Sequence, residues 1–166
     1  MGKGIVIADS GPIFSLAAID KLDLLNKIFD DIKIPRAVWN EISSSHDKPF
    51  HDLITYFFKD KIVDIKGFND LTFIMDYGES ESVILYKEMK ADFLLLDDKK
   101  ARSVAENFGV QCVGTIGILS IAKELRLIDS LKPLFEVLIE NKRYFSIGLL
   151  NMVLRKYDED NLSSWA

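Results

Sequence analysis

Apolar residues along the chain fall into two patterns, short continuous runs and runs with helical spacing. Residues 5–8 (IVIA) and 93–96 (FLLL) are uninterrupted and end at aspartate, which is typical of strands buried on both faces. Residues 101–108 place Ala, Val, Ala and Phe at i, i+3, i+4 and i+7, which predicts a helix closed by Gly109. Weaker patterns predict short strands at 32–34, 62–65 and 110–113, amphipathic segments at 13–19 and 22–29, and helices beginning near 36 and 76.

The alternation of strand and helix up to residue 113 predicts a parallel sheet with helices on both faces, an α/β fold of three layers, α/β/α. Beyond residue 113 the pattern is helical, over 116–125, 133–139 and 147–157, with Ser130 and Ser146 as expected N-caps. We expect one domain over residues 1–166, with a core of about 4–140 and a helical C-terminal extension of about 141–166.

Composition supports a globular chain and limits its partners. The 166 residues are 48% hydrophobic, enough to bury a sizeable core, and the first apolar run is too short for a signal peptide or a membrane span. A cytoplasmic protein without membrane contact is therefore expected. Cys112 is the single cysteine and is expected to be a core residue. The net charge of -5 argues against coating nucleic acid by bulk charge.

Acidic residues follow the strands that the pattern predicts. Asp9 and the pair Asp97 and Asp98 each come directly after a buried strand, Glu79 lies in the first turn of the helix that begins near 76, and Glu41 lies late in the helix after residue 35. The carboxyl ends of parallel strands share one edge, where ligands usually bind. Each acid alone could be a cap or a solvated residue. Converging carboxylates repel unless a proton or cation intervenes, and oxygen ligands without His or Cys favour Mg²⁺ or Mn²⁺ over zinc.

Four segments resemble the PIN domain, and specifically its short toxin-like (VapC-like) branch. They are IVIADSGPIFSLAAIDKLDLL, IPRAVWNEI, YGESESVILYKEMKADFLLLDDKKAR and GVQCVGTIGIL. The resemblance extends to roughly residue 140 and implies a parallel sheet sandwiched by helices. It also implies RNA cleavage with Mg²⁺ or Mn²⁺, by a toxin that a small antitoxin neutralises, and a homodimer.

Position by position, the resemblance implies a catalytic set of Asp9, Glu41, Glu79 and Asp98. The metal ligands that it implies are Asp9, Glu79, Asp97 and Asp98. Ser10, Glu81 and Thr115 are expected to support the site, Ser10 as the small polar neighbour of Asp9 and Glu81 as a possible substitute for Glu79. Where many members of the family have a further acid, this chain has Lys100, which leaves the number of ions open. Lys99, Lys100 and Arg102 are candidate ligands for RNA phosphates, although such a charge run is usually a solvated helix start.

Three other functions can be compared with the pattern. An aspartate-based phosphatase also has Asp at the end of its first strand, but it needs a second Asp two residues later, where this chain has Gly11. A response-regulator receiver would need a pair of acidic residues at the end of that strand, which this chain lacks. An interaction protein could keep the fold without catalysis and bind partners through apolar helices such as 50–58 or 147–157.

Overall fold

A computed structural model describes residues 2–163, and within them it shows a five-stranded sheet. The strands all pair in parallel, in the order β3-β2-β1-β4-β5. They are β1 (Ile5–Ala8), β2 (Asp31–Pro35), β3 (Ile62–Val63), β4 (Phe93–Leu95) and β5 (Cys112–Val113). In chain order, β2 and β3 are added on one side of the central β1, and the chain then crosses to add β4 and β5 on the other side. The carboxyl ends of β1 and β4 therefore form the topological switch point, where α/β sheets have their crevice.

Helices separate the strands, as the alternating pattern predicts. Those before residue 115 are α1 (Ser10–Ala18), α2 (Asp23–Ile28), α3 (Arg36–Ser44), α4 (His51–Phe58), α5 (Tyr77–Met89) and α6 (Lys99–Asn107), with a 3-10 turn at Leu71–Phe73. Local chemistry sets their ends. The Asp98 carboxylate caps α6 by accepting from the Ala101 N–H at 2.8 Å. Gly109 follows α6 with a φ of 76°, the left-handed conformation that glycine adopts without steric cost.

The core lies on both faces of the sheet. On one face, Ile7 and Leu94 pack in one cluster with Val83 of α5 and Ala105 of α6. Strand side chains alternate between faces, and the residues that point the other way, Val6, Ala8 and Leu95, are also fully buried. Burial on both faces explains why β1 and β4 are continuous apolar runs rather than alternating ones. The predicted three-layer α/β/α fold is confirmed.

The chain forms two compact units, residues 1–115 and 116–166, and the sheet with its six helices belongs to the first. The second unit contains the helices α7 (Thr115–Glu124), α8 (Lys132–Glu140) and α9 (Ile147–Lys156). Within it, the Glu159 carboxylate accepts hydrogen bonds from the N–H groups of Leu131 and Lys132, at the start of α8. None of the helices within residues 2–163 is long and apolar enough to cross a membrane.

One of the two predicted caps is wrong. Ser146 does cap α9, accepting from the Leu149 N–H at 3.4 Å. Ser130 does not cap α8, because its hydroxyl donates to Glu159 and the helix begins after Leu131 instead. Glu159 lies far along the chain and supplies the acceptor that a local cap would have supplied. The prediction of one domain, with a core of about 4–140 and a C-terminal extension of about 141–166, stays a prediction. Residues 164–166 of that extension lie outside the described residues.

Candidate active site

Asp9 is the most buried carboxylate at the switch point. It follows β1 directly, its backbone N–H donates to Leu95 of the neighbouring β4, and its side chain is 7% exposed. The pKa of Asp9 is raised to about 7, mainly by burial and also by the charges of Glu41 and Glu79, while hydrogen bonds from the backbone N–H groups of Ser10 and Gly11 partly oppose the rise. Ser10 contacts Asp9 through its backbone N–H, and a supporting role for its side chain stays a prediction. A carboxyl group with this pKa at a sheet crevice is a candidate for function.

Glu79 lies in the first turn of α5 and is half-buried. Burial raises its pKa, a hydrogen bond from the Asp76 N–H lowers it, and the negative charges of Asp76, Asp98 and Glu41 raise it further. Its Oε2 accepts from that N–H at 3.3 Å, which is one half of a capping box. Glu79 therefore both starts α5 and adds charge to the crevice. The four acids predicted as catalytic are joined by these electrostatic interactions, Asp9 with Glu41 and Glu79, and Glu79 with Asp98.

Glu41 reaches this group because α5 has a glycine where α3 approaches it. The Oε1 atom of Glu41 lies so close to Gly78 that a Cβ atom built there would collide with it. Gly78 is buried in the first turn of α5, where alanine would favour the helix more. The glycine is thus explained by the position of the Glu41 carboxylate. Sequence reasoning missed this residue, although a glycine in the first turn of a helix is a visible signal.

Glu81 has a structural contact, although it is only two residues from Glu79. It is 4% exposed, and its Oε1 accepts from the Ala37 N–H at 3.1 Å, at the start of α3. A hydrogen bond to the Glu81 carboxylate raises the pKa of Tyr77. A carboxylate at a helix N-terminus is favoured by the unpaired N–H groups there. Glu81 therefore ties α5 to α3, the two helices that carry Glu79 and Glu41.

Asp97 and Asp98 are neighbours with different partners. Both oxygens of Asp97 accept from Thr115, Oδ1 from its N–H at 2.7 Å and Oδ2 from its hydroxyl at 2.6 Å. Thr115 is fully buried, so this pair fixes the turn that follows β5. Asp98 is exposed, caps α6 and interacts with the charge of Glu79. Asp97 as a direct metal ligand stays a prediction.

The three basic residues of α6 differ in their surroundings. Lys100 lines a groove of about 690 Å³ together with Glu79 and Asp98. Lys99 is exposed at the start of the helix. The guanidinium group of Arg102 lies against Gly114, where a Cβ atom would be 3.0 Å from Nη1. Of the three, Lys100 is the residue that the structure places beside the acidic group.

The donor chemistry suits a hard divalent cation. The converging side chains are all carboxylates, which Mg²⁺ and Mn²⁺ prefer. Within residues 2–163, no group of three or more His, Cys, Asp or Glu side chains has the arrangement of a formed metal site. Two of the carboxylates are held by backbone N–H groups, Glu79 by Asp76 and Asp98 by Ala101. The residues fit such an ion in type and charge, with side-chain rotation needed to close around it.

Cysteine chemistry does not compete with this interpretation. Cys112 lies half-buried in β5, and burial raises the pKa of its thiol to about 11. A thiol with that pKa is protonated at neutral pH and is a poor nucleophile.

A family model described as a PIN domain matches residues 5–159 of the chain. No curated protein and no solved structure matches it at a significant level.

Proposed function

Because the chain belongs to the PIN-domain family, whose members are typically nucleases, we propose that it is an endoribonuclease that depends on Mg²⁺ or Mn²⁺. Family membership supports nuclease activity at this general level. The observation that supports the finer proposal is the buried Asp9 at the switch point, with its charge coupled to Glu41 and Glu79. Carboxylate oxygens without His or Cys favour Mg²⁺ or Mn²⁺ over zinc, and Gly11 in place of a second Asp disfavours an aspartyl-phosphate phosphatase.

The proposed roles follow from where each carboxylate lies. Asp9, Glu79 and Asp98 would hold the ion, with Asp97 kept in place by Thr115 beside them. A bound Mg²⁺ or Mn²⁺ supplies a Lewis acid for a phosphoryl oxygen and lowers the pKa of water. Glu41 has its Oε1 against Gly78 and can accept the proton of the attacking water there. Lys100 would bind a backbone phosphate of the RNA.

Two finer proposals concern partners. We place the chain in the toxin-like branch, as a cytoplasmic toxin whose antitoxin brings Arg or Lys to the acidic crevice, since a cation relieves carboxylate repulsion. We also propose a homodimer, because α9 of the second unit exposes Ile147, Leu149 and Met152. Light scattering at micromolar concentration measures the mass.

The proposed activity is tested with labelled single-stranded and hairpin RNAs, in Mn²⁺ and in EDTA. Cleavage in Mn²⁺ but not in EDTA is expected. Glu79→Gln should lose most of it, because the amide keeps an oxygen for the Asp76 N–H but loses the charge. Glu81→Gln is the matched control on the same helix and should keep activity, since its oxygen can still accept from Ala37. Equal losses in both variants would show that the charge of Glu79 is not what matters.

Gly78→Ala is expected to reduce cleavage by about tenfold to a hundredfold without unfolding the protein. The new Cβ displaces the Glu41 carboxylate, which is the end of a flexible side chain, so the structural cost is small. Alanine should even add up to about 1 kcal/mol to helix stability. Cleavage rate and melting temperature are measured together, with Gly67→Ala as a control because a Cβ at Gly67 meets ordinary contacts. Full activity in Gly78→Ala would remove Glu41 from the mechanism.

A further inference from the structure

The groove beside the acidic group has an apolar wall as well as a charged edge. Phe73, Ile74 and Val104 of α6 are among the apolar residues that line it. Its charged lining residues, which we call the charged edge, are Asp76, Glu79, Asp98 and Lys100. The cavity volume of about 690 Å³ is in the range of pockets that hold a nucleotide-sized ligand. Because Glu79 and Asp98 belong both to the groove and to the acidic group, any molecule in the groove lies next to the proposed reaction centre.

Phe73 is the most exposed large apolar side chain of this wall. It is 89% exposed, although it lies only two residues from Met75, which is buried in the core. The turn that presents it is held in place. Asn69 accepts from the Leu71 N–H at 3.1 Å and donates to the hydroxyl of Ser80 at 2.9 Å. Because the turn that carries the ring is already held in place, a ligand that stacks on Phe73 has to order the side chain but not the turn.

We propose that this groove binds one unstacked nucleotide of single-stranded RNA, with its base on Phe73 and its phosphate at Lys100. The proposal rests on the proposed ribonuclease function and names the form of its substrate. Stacking of a base on an aromatic side chain contributes about 1–3 kcal/mol, whatever the base. A base in a duplex is paired and stacked and is not available to Phe73, so the site selects single strands or loops.

The mixed lining favours a nucleotide over an apolar protein segment. A hydrophobic helix in the groove would cover Glu79, Asp98 and Lys100 without pairing them, and burying unpaired charge is costly. A nucleotide has an apolar base face, polar base edges and a phosphate. Its base can lie on the apolar wall while its phosphate pairs with Lys100, the cationic residue of an otherwise acidic edge.

The test compares two equally exposed phenylalanines of the same segment. Phe73 lines the groove, and Phe68 is 86% exposed but does not line it. The probe is a fluorescein-labelled single-stranded hexauridylate, with Ca²⁺ in place of Mn²⁺ to limit cleavage, and a hairpin RNA serves as the duplex control. Phe73→Ala should weaken hexauridylate binding about 5- to 150-fold, and Phe68→Ala should change it less than about twofold. Phe73→Trp should restore binding, whereas Phe73→Leu should not.

Several results would overturn the subsite. The first is that the wild type fails to bind hexauridylate, and the second is that Phe68→Ala and Phe73→Ala weaken its binding equally. The others are that Phe73→Ala weakens hairpin binding as much as hexauridylate binding, or that Phe73→Leu restores hexauridylate binding. A Phe73→Ala variant that changes mass in light scattering while keeping RNA affinity would assign the groove to a second copy of the chain. Failure of the proposed ribonuclease function can be distinguished from failure of the subsite. Binding that depends on Phe73 without any cleavage in Mn²⁺ would leave the subsite standing and remove the nuclease, and cleavage indifferent to Phe73 would do the reverse.

Discussion

Asp9→Asn is expected to abolish Mn²⁺-dependent RNA cleavage while leaving the metal-free protein folded. Asp9 is the acid at the centre of the switch point, and its charge is coupled to Glu41 and Glu79. Asparagine has nearly the same shape but one neutral oxygen in place of two that share a charge. Loss of a residue behind the metal ligands typically costs about 10- to 100-fold in affinity or activity, so loss of a ligand should cost at least about 100-fold. Single-turnover cleavage rates and melting temperatures in EDTA measure the two effects separately.

The adjacent aspartates provide a control for this result. Asp98→Asn should also abolish cleavage, with little change in melting temperature, because asparagine caps a helix about as well as aspartate does. Asp97→Asn should lower the melting temperature instead, because the N–H and hydroxyl of Thr115 would lose their hydrogen bonds to a charged carboxylate, and the hydroxyl would have to turn to accept from the new NH₂ group. An Asp9→Asn protein that melts well below wild type in EDTA would make Asp9 a structural residue. Full activity in Asp98→Asn would remove that residue from the ion-binding set.

Much of the sheet could be predicted because its strands are local, strongly patterned signals. β1 and β4 are continuous apolar runs ended by aspartate, and parallel pairing brings Asp9 and Asp98 to one edge whatever the intervening sequence. The segment before α5 had no periodic signal. Its turn at Leu71–Phe73 is held by contacts from Asn69 to Leu71 and Ser80, and its exposed Phe73 could not be distinguished from a core residue by type.

Individual roles within the site depended on contacts that spacing does not specify. Glu79 and Glu81 are two residues apart on one helix, but one points to the crevice and the other reaches Ala37. Asp97 is separated from its partner Thr115 by the whole of α6 and β5. Sequence position places these acids near the carboxyl edge of the sheet. The packing of α5 against α3 and of β4 against β5 gives each its partner.

The metal-free protein is expected to lose stability as the pH rises from about 4 to about 7. Burial and the nearby charges of Glu41 and Glu79 raise the pKa of Asp9 from its ordinary 3.8 to about 7 in the folded state. Below pH 4 the group is protonated in both states, so its burial costs least there. Between these values the unfolded chain ionises Asp9 and the folded chain does not, so stability falls with pH. Each pKa unit corresponds to about 1.36 kcal/mol, which gives a loss on the order of 4 kcal/mol across the window.

Mn²⁺ should reverse this trend at the upper end of the range, because an ion binds the ionised carboxylate of the folded state. At an ion concentration about 100 times the dissociation constant, the gain is about 2.7 kcal/mol. Urea unfolding from pH 4 to pH 8 in EDTA and in Mn²⁺ gives both curves, and Asp9→Asn gives the reference, since burial also raises the pKa of Glu79. The wild type in EDTA should converge on or fall below Asp9→Asn as the pH rises, and Mn²⁺ should stabilise the wild type alone. Parallel curves for the two proteins in EDTA would mean that the Asp9 carboxylate is solvated in the folded protein, and the same Mn²⁺ gain in both would place the ion elsewhere.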